Sequence, residues 1–231
     1  MLECRTGQGF LLAVLMLAGC AAPPRSAPVP VVPTPVATPG VVYEVTGSDV
    51  TVRVYRDGPL ASLGHNHVIA STGLSGRFIV REPLPASSFE LELPLASLTV
   101  DEPARRASAG ADFPGELAAA DRESTRRNML GPGLLAADRF PVIRAHSHSI
   151  EPRGKALEVT MRVDIAGAPR MLVVPAELER EADILEAHGR FTVSHAELGL
   201  VPFSIAFGAL RVREDIDIEF RVSARRLVEG P

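Results

Sequence analysis

Apolar and polar residues alternate along much of the chain, and the alternation is most regular between residues 189 and 224. Successive side chains of a β-strand point to opposite faces, so an apolar residue at every second position predicts a strand with one apolar face. A long apolar face must be covered, which favours a sheet closed into a barrel or folded into a sandwich. Three such rows occur here: Phe191, Val193 and His195; Phe203, Ile205, Phe207 and Ala209; and Ile216, Ile218, Phe220 and Val222.

The same alternation recurs upstream and brings the number of predicted strands to about eight. The inward rows are Val50, Val52 and Val54; Phe78 and Val80; Phe89, Leu91, Leu93 and Leu95; Leu157, Val159, Met161, Val163 and Ile165; and Leu172, Val174, Ala176 and Leu178. The last two rows flank a turn at residues 166–169, as in a hairpin. We therefore predict an all-β fold, an antiparallel barrel of about eight strands.

One segment lacks the alternation and predicts a helix. Residues 115–130 are rich in alanine and mixed charges, and Glu123 and Arg127 have the i, i+4 spacing of a helical ion pair. Gly131 and Pro132 then mark its end. A single helix in a β chain is expected at the mouth of the barrel.

Composition limits the function classes. The 231 residues carry a formal net charge of −4 and show no basic stripe, which argues against a nucleic-acid partner. Cys4 and Cys20 are the two cysteines, so the predicted barrel has neither a disulfide framework nor a cysteine metal site.

The N-terminus predicts secretion and lipidation. Residues 10–18 form a short apolar run that ends in Leu-Ala-Gly-Cys, which resembles the lipobox of bacterial lipoproteins. The resemblance implies a signal peptide at residues 1–19 and a lipid, such as palmitate, on Cys20. Residues 20–41 are rich in proline and predict a disordered, semi-rigid tether. We expect a lipid-anchored protein of the bacterial envelope, in the outer membrane and facing the periplasm.

Residues 42–228, the predicted barrel domain, resemble the YceI family. The similarity spans roughly Val42 to Ala224. It rests on the order of Arg127-Asn128-Met129-Leu130, Asp138 to Ile143, the hairpin Met161 to Leu178, and Ser194 to Leu200. The resemblance implies a lipocalin-like barrel that binds long isoprenoid or other lipophilic molecules. Asn128, Met129, His195 and Leu198 depart from the usual family pattern, as does the segment 58–71, so the identity of the ligand does not carry over.

The inward rows supply candidate ligand contacts. An eight-stranded barrel holds either packed side chains or one slender ligand, and inward residues that are almost all apolar would suit an apolar guest. Both a filled core and an isoprenoid- or quinone-like lipid in a cavity fit the pattern, and no cofactor is required. The candidates for lining a cavity are Phe78, Phe89, Leu91, Met161, Phe191, His195, Phe203 and Phe207.

Histidines offer an alternative function. His65 and His67 have strand spacing that would direct two imidazoles to one metal ion, although a pair alone falls short of the three or four ligands of a stable zinc site. His146 and His148 are expected on the outer face of their strand. His195 has inward parity, which fits either a buried, hydrogen-bonded imidazole or a contact to the polar head of a lipid.

No pattern of catalytic residues stands out. Ser194 and His195 are adjacent, so on a strand their side chains point to opposite faces and form no dyad. The sequence has no glycine-rich phosphate loop. We therefore expect a binding protein and not an enzyme.

Overall fold

The computed structural model describes residues 39–228, so Cys20, the predicted signal peptide and most of the predicted tether lie outside the described residues. The helices are α1 (Pro103–Ser108) and α2 (Ala119–Leu130). The strands are β1 (Val41–Val54), β2 (Arg56–Asp57), β3 (His67–Ser71), β4 (Ser75–Val80), β5 (Ser88–Pro94), β6 (Thr99–Val100), β7 (Val142–Arg153), β8 (Ala156–Ile165), β9 (Ala168–Glu181), β10 (Ile184–Ser194), β11 (Ser204–Ile205), β12 (Leu210–Val212) and β13 (Asp215–Arg226). Within residues 39–228, no helix is long and apolar enough to cross a bilayer.

Eight long strands close into an antiparallel barrel. Their order is β13-β10-β9-β8-β7-β5-β4-β1, and β13 also pairs with β1, so the barrel has no free edge. The short strands β3 and β6 extend the sheet beside the second half of β1. The predicted fold class is confirmed, because closure allows each strand to bury its apolar row against the others.

The register places the predicted inward rows side by side. Val52 of β1 lies opposite Ile69 of β3 on one side and Ile218 of β13 on the other. The hairpin between β8 and β9 has a two-residue turn in which Ala166 and Gly167 both have positive φ, as a type I′ turn requires. Such a tight turn fixes the alternation of both strands relative to the barrel interior.

The two ends of the barrel are built differently. At one end, which we term the packed end, a compact cluster is almost completely buried; its members are Tyr43, Val80, Leu185 and Ala224. At the other end, a larger apolar cluster includes Leu98, Met129 from α2, and Leu135 and Leu198 from the long loops. β1 runs from the packed end, where Tyr43 lies opposite Phe78 and Arg226, to the loop end, where Arg53 lies opposite Asp217.

Two predicted elements differ from the structure. α2 begins at Ala119, four residues after the predicted start, and the short helix α1 was not predicted. The predicted long strand over Phe203–Ala209 is wrong. In this region only β11 and β12 are extended, and Ala206 and Phe207 between them have φ values of 49° and 55°. The left-handed conformation ends the alternation, so the Phe207 side chain lies fully exposed outside the barrel.

We term this region the flap. It consists of the three-stranded sheet β11-β12-β2 and the single 3₁₀ turns Ala61–Leu63 and Ala206–Gly208. Main-chain hydrogen bonds hold its two chain segments together: the Leu60 N–H donates to the Ala209 carbonyl at 2.8 Å, and the Arg213 N–H donates to the Tyr55 carbonyl at 2.7 Å. These distant partners explain why local alternation in the sequence mispredicts the segment.

Candidate ligand-binding cavity

The barrel encloses a cavity of about 750 Å³. That volume lies within the range of protein sites that take up a drug-sized organic molecule. All eight barrel strands line it with the rows that the alternation predicted to face inward. Central lining residues are Val52, Leu91, Val159, Met161, Val174, Phe191, Ile218 and Phe220. The interior is therefore a hollow apolar space and not a filled core.

Small residues leave this space open. Ala145 of β7, Ala176 of β9 and Ala187 of β10 all line the cavity at positions where a longer side chain would project into it. Gly189 allows a close approach of strands: a Cβ atom there would lie 2.4 Å from the Pro175 carbonyl oxygen and 2.8 Å from the Phe220 ring. Because Gly189 has no side chain, the Phe220 ring fits beside it and lines the cavity.

The cavity reaches solvent mainly at the loop end, which we term the mouth. Apart from Glu177 of β9, its exposed lining residues come from α2 and two loops, and they are Arg127, Asn128, Pro132, Gly133, Val201 and Phe203. The helix therefore flanks the opening, as predicted. Its expected ion pair is long and exposed, with 3.9 Å between Arg127 and Glu123, so it contributes little to stability.

Most predicted ligand contacts reach the cavity. Phe78 and Phe89 meet at the packed end of the cavity with ring centroids 5.9 Å apart. Phe203 lies at the rim and is 46 % exposed. The predicted residues that line the cavity are Phe78, Phe89, Leu91, Met161, Phe191, His195 and Phe203. Phe207 is the exception, because its strand does not form and its ring points to solvent.

His195 presents a defined edge to the cavity. The residue is only 5 % exposed, and its Nδ1 lies 2.8 Å from the Glu214 carbonyl oxygen. A carbonyl only accepts, so Nδ1 carries a proton and donates it, and in the Nδ1–H tautomer Nε2 is the hydrogen-bond acceptor of the ring. His195 is therefore both a paired, buried histidine and a cavity-lining one. The hydrogen bond leaves Nε2 as the polar atom with which the ring can bind a hydroxyl donor.

A buried ionic cluster near the mouth was missed by the sequence analysis. Asp101 and Arg106 are 1 % and 2 % exposed, and Arg106 Nη1 donates to Asp101 Oδ1 at 2.8 Å. The Val68 N–H donates to the same oxygen at 2.9 Å. His67 Nδ1 lies 2.6 Å from Asp101 Oδ2, and the His67 ring also lines the cavity. The signal in the sequence was Asp101 directly after an apolar strand residue, Val100, with Arg106 five positions later.

The cluster fixes the ionisation of Asp101. Burial alone would raise the pKa of this carboxyl group, but the hydrogen bonds from His67, the Val68 N–H and Arg106 outweigh it and lower the pKa below its usual value. Asp101 is thus a carboxylate, and His67 Nδ1 must donate to it. The mouth side of the cavity therefore contains two imidazoles, His67 and His195, each held through Nδ1.

The predicted metal pair does not assemble. β3 begins only at His67, so His65 lies outside the strand and is exposed, whereas His67 is partly buried. Nδ1 of His67 is engaged by Asp101. Across residues 39–228, no three His, Cys, Asp or Glu side chains are grouped so as to hold a metal ion.

Comparison with known proteins agrees with the fold. The YceI-like domain model matches residues 44–224. No curated protein matches the sequence. Three solved structures share the fold. BcnA of Burkholderia cenocepacia is 14 % identical with a TM-score of 0.56, and the match covers 76 % of this chain and 95 % of BcnA. A polyisoprenoid-binding domain of Saccharophagus degradans implicated in plant cell wall breakdown is 11 % identical with a TM-score of 0.53 and coverages of 81 % and 99 %, and the Campylobacter jejuni YceI protein is 12 % identical with a TM-score of 0.50 and coverages of 70 % and 85 %. Since the YceI-like domain model covers most of the chain and the closed barrel agrees with it, the chain belongs to the YceI family.

Proposed function

We propose that this protein binds one isoprenoid-type lipid alcohol, or a closely similar lipid with a hydroxyl head, inside the barrel. The observation that carries the proposal is the continuous apolar cavity of about 750 Å³. Each methylene that moves from water into such an environment contributes about 0.8 kcal/mol, so an unbranched or isoprenoid chain gains affinity along its whole length. The named function of the Saccharophagus degradans domain, polyisoprenoid binding, supports the same class of ligand.

We infer that the polar end of the ligand lies at the mouth. His195 offers Nε2 as an acceptor there, and a hydroxyl group is the donor that satisfies it. The lipid chain then extends past Met161 towards Phe78 and Phe89 at the packed end. A quinone head has carbonyl acceptors and no hydroxyl donor, so it gains no hydrogen bond from an Nε2 acceptor.

The cellular role follows from the N-terminal sequence. We infer that Cys20 carries a lipid, that the protein is held in the bacterial envelope, and that it stores or carries its ligand without chemical conversion. The lipobox-like segment and the proline-rich stretch support the anchor. Incorporation of labelled palmitate into the wild-type chain, and none into a Cys20→Ala variant, is the expected result. Equal labelling of both, or of neither, would contradict it.

A filled-cavity variant tests the ligand site. Ala176→Phe places a ring inside the barrel, whereas Val173→Phe places the same ring on the outer wall of the same strand, where Val173 is 61 % exposed. We expect wild type and Val173→Phe to copurify with a lipid from native membranes and to bind added geranylgeraniol, as read by native mass spectrometry. Ala176→Phe should bind neither. Lipid-free wild type that also fails to bind geranylgeraniol would overturn the proposal.

A further inference from the structure

The flap exposes more apolar surface than its share of the chain would suggest. Among the described residues, eleven large apolar side chains are exposed, and six of them belong to the flap or to the loop that leads into it. These are Leu60 (41 %), Leu63 (71 %), Val201 (76 %), Phe203 (46 %), Ile205 (47 %) and Phe207 (112 %). Clustered apolar side chains on a protein surface mark an interaction site, whereas isolated ones carry no such meaning.

The backbone presents Phe207 outward at a conformational cost. Ala206 and Phe207 both have left-handed φ values, which residues with a side chain rarely adopt. The ring reaches no partner in residues 39–228 and has the highest exposure of any large apolar side chain there. A disfavoured conformation that directs an aromatic ring into solvent is explained if the ring has a binding partner outside the chain.

The exposed surface is continuous with the cavity. Val201 and Phe203 line the cavity and are also exposed, so the apolar surface runs from the interior over the rim to Ile205 and Phe207. A lipid chain that crossed this rim would remain on apolar surface throughout. This continuity favours a partner that holds the same ligand as the cavity.

The charge of the flap differs from that of the whole chain. The elements of the flap carry Arg56, Asp57 and Arg211, a net charge of +1 in a chain of −4, and Arg213 follows directly after β12. Arg211 pairs with Asp57 at 2.6 Å. Arg56 and Arg213 form no ion pair among the described residues; Arg56 donates to the Gly64 carbonyl, and the Arg213 guanidinium lies over the Tyr55 ring, 4.1 Å from its centroid. Apolar side chains beside a cationic rim match an anionic bilayer surface, into which aromatic and aliphatic side chains insert while arginines contact the headgroups.

We propose that the flap docks on an anionic phospholipid bilayer and that the lipid ligand passes over it between membrane and cavity. This inference rests on the proposed lipid-binding function and adds the surface from which the ligand is taken. The occupant is the bilayer itself, independent of the proposed anchor at Cys20. Phe207 and Ile205 are the inserting residues, and Arg56 and Arg213 are the headgroup contacts.

The absence of tryptophan from the sequence allows a site-specific test. Within residues 39–228, every strand pairing and both apolar clusters lie between residues 41 and 226, and these residues belong to one compact unit. A fragment 38–231 therefore retains the barrel and omits Cys20. In this fragment, Phe207→Trp reports on the flap and Val173→Trp reports on the barrel wall. Vesicles are made from an equimolar mixture of phosphatidylcholine and phosphatidylglycerol, or from phosphatidylcholine alone, with brominated acyl chains as quenchers.

We expect the emission of Phe207→Trp to shift to shorter wavelength and to be quenched on the mixed vesicles only, while that of Val173→Trp stays unchanged. Phe207→Ser should weaken vesicle binding about tenfold, and Val173→Ser should change it less than about twofold. No shift, an equal shift at both positions, or an equal shift on neutral vesicles would overturn the docking proposal. A shift that depends on protein concentration without vesicles would show that a second copy covers the flap, and would overturn it too.

Ligand transfer separates this proposal from the function on which it rests. Phe207→Ser should bind geranylgeraniol with unchanged equilibrium affinity in detergent-free solution but take it up from mixed vesicles several-fold more slowly than Val173→Ser. If no variant binds geranylgeraniol at equilibrium, the proposed function fails. If all variants bind it and take it up from vesicles at equal rates, the docking proposal alone fails.

Discussion

The packed end and the mouth of the barrel are stabilised by different interactions. At the packed end, Tyr43, Val80, Leu185 and Ala224 are at most 6 % exposed, and their apolar side chains fill the space between the paired strands. At the mouth, Asp101 and Arg106 are buried as an ion pair, and the lining residues Val201 and Phe203 remain exposed. One end is stabilised by burial, and the other combines ionic hydrogen bonds with an apolar surface left uncovered.

This difference indicates where the ligand passes. Apolar packing is close and leaves few openings, whereas loops held by a few directional hydrogen bonds can part and reclose. The cluster of His67, Asp101 and Arg106 anchors α1 and β3 beneath the mouth without filling the opening. We expect substitutions at the two ends to differ in their effects on the free energy of unfolding, on its pH dependence and on the affinity for the ligand.

The largest effect is expected from Asp101→Asn. Removing this charge leaves the Arg106 guanidinium buried without a counter-charge, although it still donates to the Asn66 and Gly115 carbonyls, and this should lower the free energy of unfolding by about 3–5 kcal/mol. Urea unfolding of fragment 38–231, followed by circular dichroism, measures it. Asp112→Asn is the matched control, because Asp112 is exposed and should give less than about 0.5 kcal/mol. Equal effects of the two substitutions would show that the buried cluster does not stabilise the mouth.

Leu185→Ala tests the packed end. Leu185 has no exposed surface, so its truncation should cost about 2–5 kcal/mol through lost burial and a new cavity. Leu227→Ala, at a half-exposed position near the same end, should cost less than 1 kcal/mol by this reasoning. The same unfolding assay applies. A cost at Leu185 as small as that at Leu227 would mean that this end is not tightly packed.

The two ends should differ in their response to acid. The pKa of Asp101 in the fold lies below the ordinary value of an aspartate, so its carboxylate stabilises the protein at higher pH, and this contribution is lost as pH falls through the folded pKa. The stability difference between wild type and Asp101→Asn should therefore shrink below about pH 4. The difference between wild type and Leu185→Ala should stay constant. Unfolding curves from pH 7 to pH 3 decide between these outcomes.

The smallest effect is expected at His195. His195→Phe removes the Nε2 acceptor, while the Glu214 carbonyl keeps the main-chain N–H of residue 195 at 2.9 Å. We expect the affinity for geranylgeraniol to fall by about 1 kcal/mol and that for its methyl ether, which lacks the hydroxyl donor, to stay unchanged. Isothermal titration with both ligands measures the difference. Equal losses for alcohol and ether would show that His195 contributes packing and not a hydrogen bond.

The residues that face the barrel interior were predictable from the sequence, because the alternation of side chains along a strand is a local property. Alternation in β8, β9 and β13 states which residues point inward, and the regular register of these strands preserves that parity. In β1 and β7 a register shift changes the parity partway along the strand. The apolar character of the cavity follows from the same rows. The presence of a cavity could not be predicted, because it depends on the small residues Ala145, Ala176 and Ala187 of three different strands facing the same interior space. The alternation within a single strand does not reveal this arrangement.

The predictions that were wrong or missing concern residues whose positions depend on contacts between distant segments of the chain. Phe207 alternates like a strand residue, but its segment pairs with residues 55–64, and the left-handed pair Ala206–Phe207 turns the ring outward. Asp101 and Arg106 resemble ordinary solvated charges in the sequence. They are buried because β6 pairs with β3 and brings Asp101 beside His67, which is 34 positions away in the chain.

The direction of β1 has a mechanical consequence. The strand begins beside Arg226 and Val80 at the packed end and ends beside the flap. The chain before Val41 therefore joins the barrel at the packed end, opposite the mouth. The chain thus enters the barrel at the end where no ligand is expected to pass.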